Sequence, residues 1–263
     1  MAGAPDLYFT EQGHGSPLLL IHGLMVTGEM FEHVLPHLSA QHRVIVPDLR
    51  GHGQSRGLGP PYTVARLAAD VSTLLARLAV PSAAVLGYSQ GGSVAQQLAI
   101  AHPEQCSRLV LGCSYAFNMS SVREKLEAVV TPVLMRTLGM KRFAKLVFSM
   151  GMGDTSDHHK TRLGSLIAGQ DLDLMVAAWT EAMAFDSRAR LEAIRCPTLV
   201  LAGANDTAVP MHHANELQGG IRGSRLEVIE GAGHGLIWSH SDEFLQRVDT
   251  FLAETASAAA PGP

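Results

Sequence analysis

Cysteine is scarce in this chain: Cys106, Cys113 and Cys196 are the only three among 263 residues. An odd number at wide spacing provides no disulfide framework. The expected reading is small, buried apolar side chains in a reducing compartment. Neither C-x-x-C nor H-E-x-x-H occurs, so the usual zinc signatures are missing. His33 and His37 stand at i,i+4, but Pro36 between them would disturb a metal-binding helix. The doublets His158-His159 and His212-His213 read as solvated surface, and neither metal nor cofactor is expected. An excess of positive charge is also missing. A formal charge of −4 and a pI near 6.3 leave no basic footprint for nucleic acid. No basic segment followed by an apolar stretch opens the sequence, and no apolar run is long enough to span a bilayer. The expectation is a soluble, cytoplasmic protein with no membrane partner.

What is present is an ordinary globular balance, 46% apolar and 17% charged, which argues against disorder. The length suffices for a large core, as one elaborated α/β domain or a core with an insert. Strand-like segments alternate with helical ones. Leu7 to Thr10 and Leu18 to Ile21 flank Gly13-His14-Gly15-Ser16-Pro17 and read as a hairpin. Further strands are predicted at Arg43 to Val46, Ala83 to Leu86, Arg108 to Leu111, Thr198 to Leu201 and Leu226 to Ile229. Helices are predicted over Thr63 to Leu78, Gln90 to Ala101 and Asp242 to Leu252. This alternation predicts a doubly wound, mostly parallel sheet with crossover helices.

The alternation stops near Ala116 and resumes near Pro197. Between them helical segments are predicted over Val122 to Leu138, Arg142 to Ser149, Lys160 to Ala168 and Leu172 to Phe185. The expected organisation is an α/β core from residues 1–116 and 191–254, a helical cap over 117–190 and a disordered tail over 255–263. Seven of the eleven methionines fall in the cap segment: Met119, Met135, Met140, Met150, Met152, Met175 and Met183. Methionine is adaptable, so the excess suggests a pliable apolar lid, against ordinary helix packing for any one of them.

Gly87-Tyr88-Ser89-Gln90-Gly91 carries the chemistry. It matches G-x-S-x-G between a predicted strand and a predicted helix, the context that turns a common pentapeptide into a strong lead. A serine hydroxyl is a weak nucleophile at neutral pH and needs a base, which in turn needs an acid to fix its tautomer. Asp206 lies in Leu201-Ala202-Gly203-Ala204-Asn205-Asp206 and His234 in Gly231-Ala232-Gly233-His234-Gly235. Each falls just past a predicted strand end, where open parallel sheets place their ligands. His22, His52 and Asp48 read as residues that shape loops, with Asp48 pairing with Arg50 or capping a turn. Asp186 is a weaker alternative acid.

On these segments, together with Leu20-Ile21-His22-Gly23, Asp48-Leu49-Arg50-Gly51-His52-Gly53-Gln54-Ser55 and Gly92, the chain resembles the α/β-hydrolase family over nearly its whole length. The resemblance implies Ser89 as nucleophile, His234 as general base and acid, and Asp206 as orienting acid. It also implies an oxyanion hole from the backbone N–H groups of Gln90 and Leu24, with Met25 as the rival to Leu24. Two such donors would stabilise the charge that develops on a carbonyl oxygen under attack. Hydrolysis of a small to medium apolar ester or lactone through an acyl-enzyme is the leading expectation. The apolar insert and the loop Leu24-Met25-Val26 suggest the substrate's character. C–C bond hydrolysis, peracid formation, a ligand receptor and cofactor-free oxygenase chemistry remain open alternatives.

Overall fold

The computed structural model describes residues 6–151 and 156–254. The tail expectation for 255–263, and Met152 of the methionine-rich segment, lie outside the described residues. Seven strands, β1 (Phe9–Gln12), β2 (Ser16–Ile21), β3 (His42–Pro47), β4 (Ala83–Tyr88), β5 (Cys106–Gly112), β6 (Thr198–Gly203) and β7 (Arg225–Ile229), form one sheet. Their order is β1-β3-β2-β4-β5-β6-β7, and every pairing is parallel except β1 with β3.

The central strands read as continuous apolar runs because both faces are covered. Leu18 and Leu20 point into one core layer, and Leu19 and Ile21 into the other. The helices α2 (Val64–Arg77), α3 (Gln90–Ala101) and α7 (Met211–Gly220) pack on the second face. On the first lie α1 (Leu35–Ser39), α8 (Leu236–Ser239) and α9 (Ser241–Ala253). Thr63 caps α2 by accepting a hydrogen bond from Arg66 N–H.

The predicted hairpin does not form. β1 pairs with β3, and β3 lies between β1 and β2. The turn that joins β1 and β2 packs against the start of β3 instead. A Cβ on Gly13, which has φ +79, would stand 2.2 Å from Ser39 O and 2.3 Å from His42 O. Two strand-like segments around a glycine turn cannot by themselves show that a third strand enters from later in the chain.

The described part of the insert carries three helices, α4 (Val122–Gly151), α5 (Asp157–Ala168) and α6 (Leu172–Met183). An isolated antiparallel bridge joins Phe117 to Asp186 at its neck, and the Arg188 guanidinium stacks over the Phe117 ring. Two predicted helices are merged in α4, which kinks at Gly139 (φ 69, ψ 159). Pro132 lies inside α4 and has no N–H to donate to Ala128 O. That carbonyl is satisfied from α6, where Trp179 Nε1 donates to it at 3.0 Å.

Cys106 and Cys113 are buried and Cys196 half-buried, as small apolar side chains are expected to be. Cys106 and Cys196 nonetheless meet, with their sulfurs 3.6 Å apart across ninety residues of sequence.

Candidate active site

The end of β4 and the start of α3 force the chain into a turn that presents Ser89 at φ 54, ψ −123. Few non-glycine residues occupy this region, and holding one there costs on the order of 1–3 kcal/mol. The small neighbours are dictated by contact. A Cβ on Gly87 would stand 2.3 Å from Gly91 O, and one on Gly91 2.1 Å from Ile21 O. The turn is held by Ser89 N–H donating to Gly112 O at 2.8 Å and by Ser114 Oγ–H donating to Ser89 O at 2.9 Å.

Asp206 follows β6 and is buried. Its Oδ1 accepts the N–H groups of Ala208 and Val209 at 2.9 and 2.8 Å, which leaves Oδ2 to face His234 Nδ1 at 2.8 Å. Burial raises the Asp206 carboxyl, but the His234 charge and hydrogen bond outweigh it, helped by the Val209 N–H and the Cys113 thiol. The net pKa is lowered. For His234, burial works against the imidazolium, yet the Asp206 charge and hydrogen bond prevail and its pKa is raised. A carboxylate on Nδ1 favours the tautomer whose Nε2 carries the lone pair.

Ser89 and His234 line one cavity of about 450 Å³. Leu24, Met25 and Val26 wall it from the core, and Leu134, Phe143 and Trp179 from the cap. Of the cap methionines with described side chains, Met183 lines the cavity, while Met135, Met140 and Met175 are buried among the helices. Ordinary helix packing accounts for these three, and among all of these Met183 alone faces the cavity.

The loop residues behave as expected, with one change. His22 Nδ1 donates to Gly23 O at 2.7 Å while its Nε2 accepts Leu49 N–H at 2.9 Å. His52 Nδ1 faces Arg50 O at 3.1 Å, and its Nε2 accepts Met25 N–H at 3.3 Å. Both rings are fully buried, which pushes their pKa values down to about 4 and about 3. Asp48 does not pair with Arg50, which is taken by Asp70. It accepts the N–H groups of Gly28 and Gln54, each at 2.9 Å, and so fixes the turn. Asp186 pairs with Arg188 at the neck of the insert. The side chain of Gln90 is buried at the helix start, and neither of its polar atoms has a hydrogen-bond partner among the described residues.

Two features were missed in the sequence. Tyr88 donates its hydroxyl to His234 O at 2.6 Å, linking the elbow to the histidine loop. His213 is fully buried rather than solvated, because α7, unpredicted, turns it toward Glu124.

Residues 16–241 match the family model described as the alpha/beta hydrolase fold. The chain is 33% identical over 247 residues to the magnesium-chelatase 30 kDa subunit of Rhodobacter capsulatus, covering 86% of this chain and 82% of that one. It is 29% identical to the pimeloyl-[acyl-carrier protein] methyl ester esterase of Aliivibrio salmonicida, covering 94% and 96%. Among solved structures, the enol-lactonase of Burkholderia xenovorans superposes with a TM-score of 0.86 at 26% identity, covering 94% and 96%. Such different names on one fold show that the fold alone does not fix a substrate.

Proposed function

From the premise that this chain belongs to the alpha/beta hydrolase family, we propose a serine hydrolase that cleaves a small to medium apolar carboxylic ester or lactone through an acyl-enzyme. The observation that carries this reading is the single cavity lined by Ser89 on its strained turn and by His234, which Asp206 backs at 2.8 Å. In this reading His234 Nε2 takes the Ser89 proton as Oγ attacks the carbonyl, then gives it to the leaving oxygen. Water, activated by the same nitrogen, releases the acid. The oxyanion is received by the N–H groups of Gln90, at the start of α3, and of Leu24. The His52 bond to Met25 N–H supports Leu24 over Met25, because a donor already engaged is not free for the substrate.

The substrate class follows the walls. Leu126 and Val130 of α4 line the cavity and are also solvent-exposed, carrying its apolar surface outward. A cavity of this size and character suits an acyl or aryl group with a few polar contacts at the reacting centre. The esterase and lactonase names of similar proteins support the same chemistry.

The test is covalent. A fluorophosphonate should label Ser89 alone, and p-nitrophenyl esters should give an initial burst that Ser89→Ala abolishes. Labelling elsewhere would sink the assignment. So would oxygen consumption that survives Ser89→Ala, or tight retention of a ligand after one slow turnover.

A further inference from the structure

Away from Ser89, three side chains that suit a divalent transition metal converge where the cap meets the core. Glu124 stands in the first turn of α4 and His212 and His213 in the first turn of α7. Glu124 Oε1 lies 3.1 Å from His212 Nε2 and 3.2 Å from His213 Nε2. The three donor atoms all fall within 4.8 Å of one another. Glu124 and His213 are buried, while His212 is 48% exposed on its side chain.

The sequence fixes this carboxylate before any ion is considered. Ser121-Val122-Arg123-Glu124 is a capping box: Ser121 Oγ accepts Glu124 N–H at 3.2 Å, and Glu124 Oε2 accepts Ser121 N–H at 3.0 Å and Ser120 N–H. With Oε2 committed to the helix start, Oε1 is the oxygen left to face both imidazoles. One carboxylate oxygen can accept from both ring nitrogens. What goes beyond a pair of hydrogen bonds is that the two imidazole nitrogens also close to within 4.8 Å of each other around it. The two oxygen–nitrogen separations are those that ligands of one ion keep. Ligand atoms at about 2.0–2.1 Å from a tetrahedral zinc stand roughly 3.3 Å apart.

We infer that Glu124, His212 and His213 form a binding site for a zinc-like divalent cation that staples the start of α4 to α7. The exposed side at His212 leaves a fourth position for water. Such an ion joins cap to core beside Arg123, which lines the cavity and donates to Thr207 O at 3.1 Å. The inference does not depend on the hydrolase reading, and its test does not use turnover.

The full chain, treated with a chelator and dialysed, is titrated with Co²⁺ and then Zn²⁺. One equivalent of Co²⁺ should give the visible absorption of a low-coordinate nitrogen–oxygen site, and Zn²⁺ should displace it and raise Tm. His212→Ala, at an exposed position, and Glu124→Gln, which keeps the capping geometry, should each weaken binding by more than about tenfold, the scale on which even outer partners of a metal act. His33→Ala is the control, because His33 and His159 also bring ring nitrogens within 3.1 Å. Loss of binding in that variant but not in His212→Ala would overturn the site. Loss on His234→Ala alone would also overturn it, by moving the ion to the Asp206–His234 pair. Absence of stoichiometric Co²⁺ binding would leave the cluster as a hydrogen-bonded clamp only.

Discussion

Tyr88 holds the histidine loop through a single hydroxyl, and nothing in G-x-S-x-G asks for it. Its partner, His234 O, is 146 residues away, and the contact exists only because the elbow and the loop after β7 meet above the sheet. Tyr88→Phe keeps the buried ring and removes that hydrogen bond, worth about 0.5–1.5 kcal/mol net. With tenfold in rate for each 1.36 kcal/mol, kcat should fall by roughly two- to tenfold with KM little changed. Fluorophosphonate labelling of Ser89 should slow in parallel. Unchanged labelling would show that the loop holds His234 without Tyr88. Ser89, Asp206 and His234 were legible for the opposite reason. Each is the right residue type just past a strand, so local pattern finds them before any long-range contact is known. His213 was not legible, since its burial depends on a helix that the sequence did not announce.

At the scale of elements, α4 shows how a sequence that argues against a helix is accommodated. Pro132 orphans the Ala128 carbonyl, and Trp179 of α6 satisfies it while also lining the cavity. The predicted break between Leu138 and Arg142 is real as a kink at Gly139, although the helix continues beyond it. Trp179→Phe should cost about 0.5–1.5 kcal/mol, the net worth of one hydrogen bond at a half-buried carbonyl. In a Pro132→Ala background the restored N–H can serve Ala128 O, so the same substitution should cost much less. A double-mutant cycle on thermal or denaturant unfolding reads this coupling, and strictly additive costs would refute the pairing. The doubly wound sheet was readable because buried parallel strands are apolar runs between amphipathic helices. The hairpin error has a complementary cause: pairing is decided by which strand arrives next to β1, and strand-like residues do not encode that.

For the whole molecule, the histidines set two acid transitions in a definite order. The His234 pKa is raised, so on acidification it takes up its proton above the ordinary value of 6.5. In the proposed mechanism a protonated Nε2 cannot accept the Ser89 proton, so kcat/KM should fall on an acid limb above pH 6.5 while the fold persists. The His22 and His52 values are depressed, to about 4 and about 3, chiefly by burial. Their stabilising contribution is complete above the unfolded value near 6.5 and is lost as pH falls toward those folded values, because the unfolded chain binds the protons first. His234 works in the other direction, contributing fully below pH 6.5 and losing its contribution as pH rises through its own raised pKa. Two strongly depressed rings against one raised ring should leave net loss of stability between pH 6.5 and about 3–4. Activity should therefore fail first and reversibly, with Tm declining only afterwards. Asp206→Asn removes the charge that holds His234 up but not the burial, so any residual activity should show its acid limb at lower pH. Parallel kcat/KM and Tm profiles from pH 8 to 4 test the order, and coincident loss of activity and Tm would refute it.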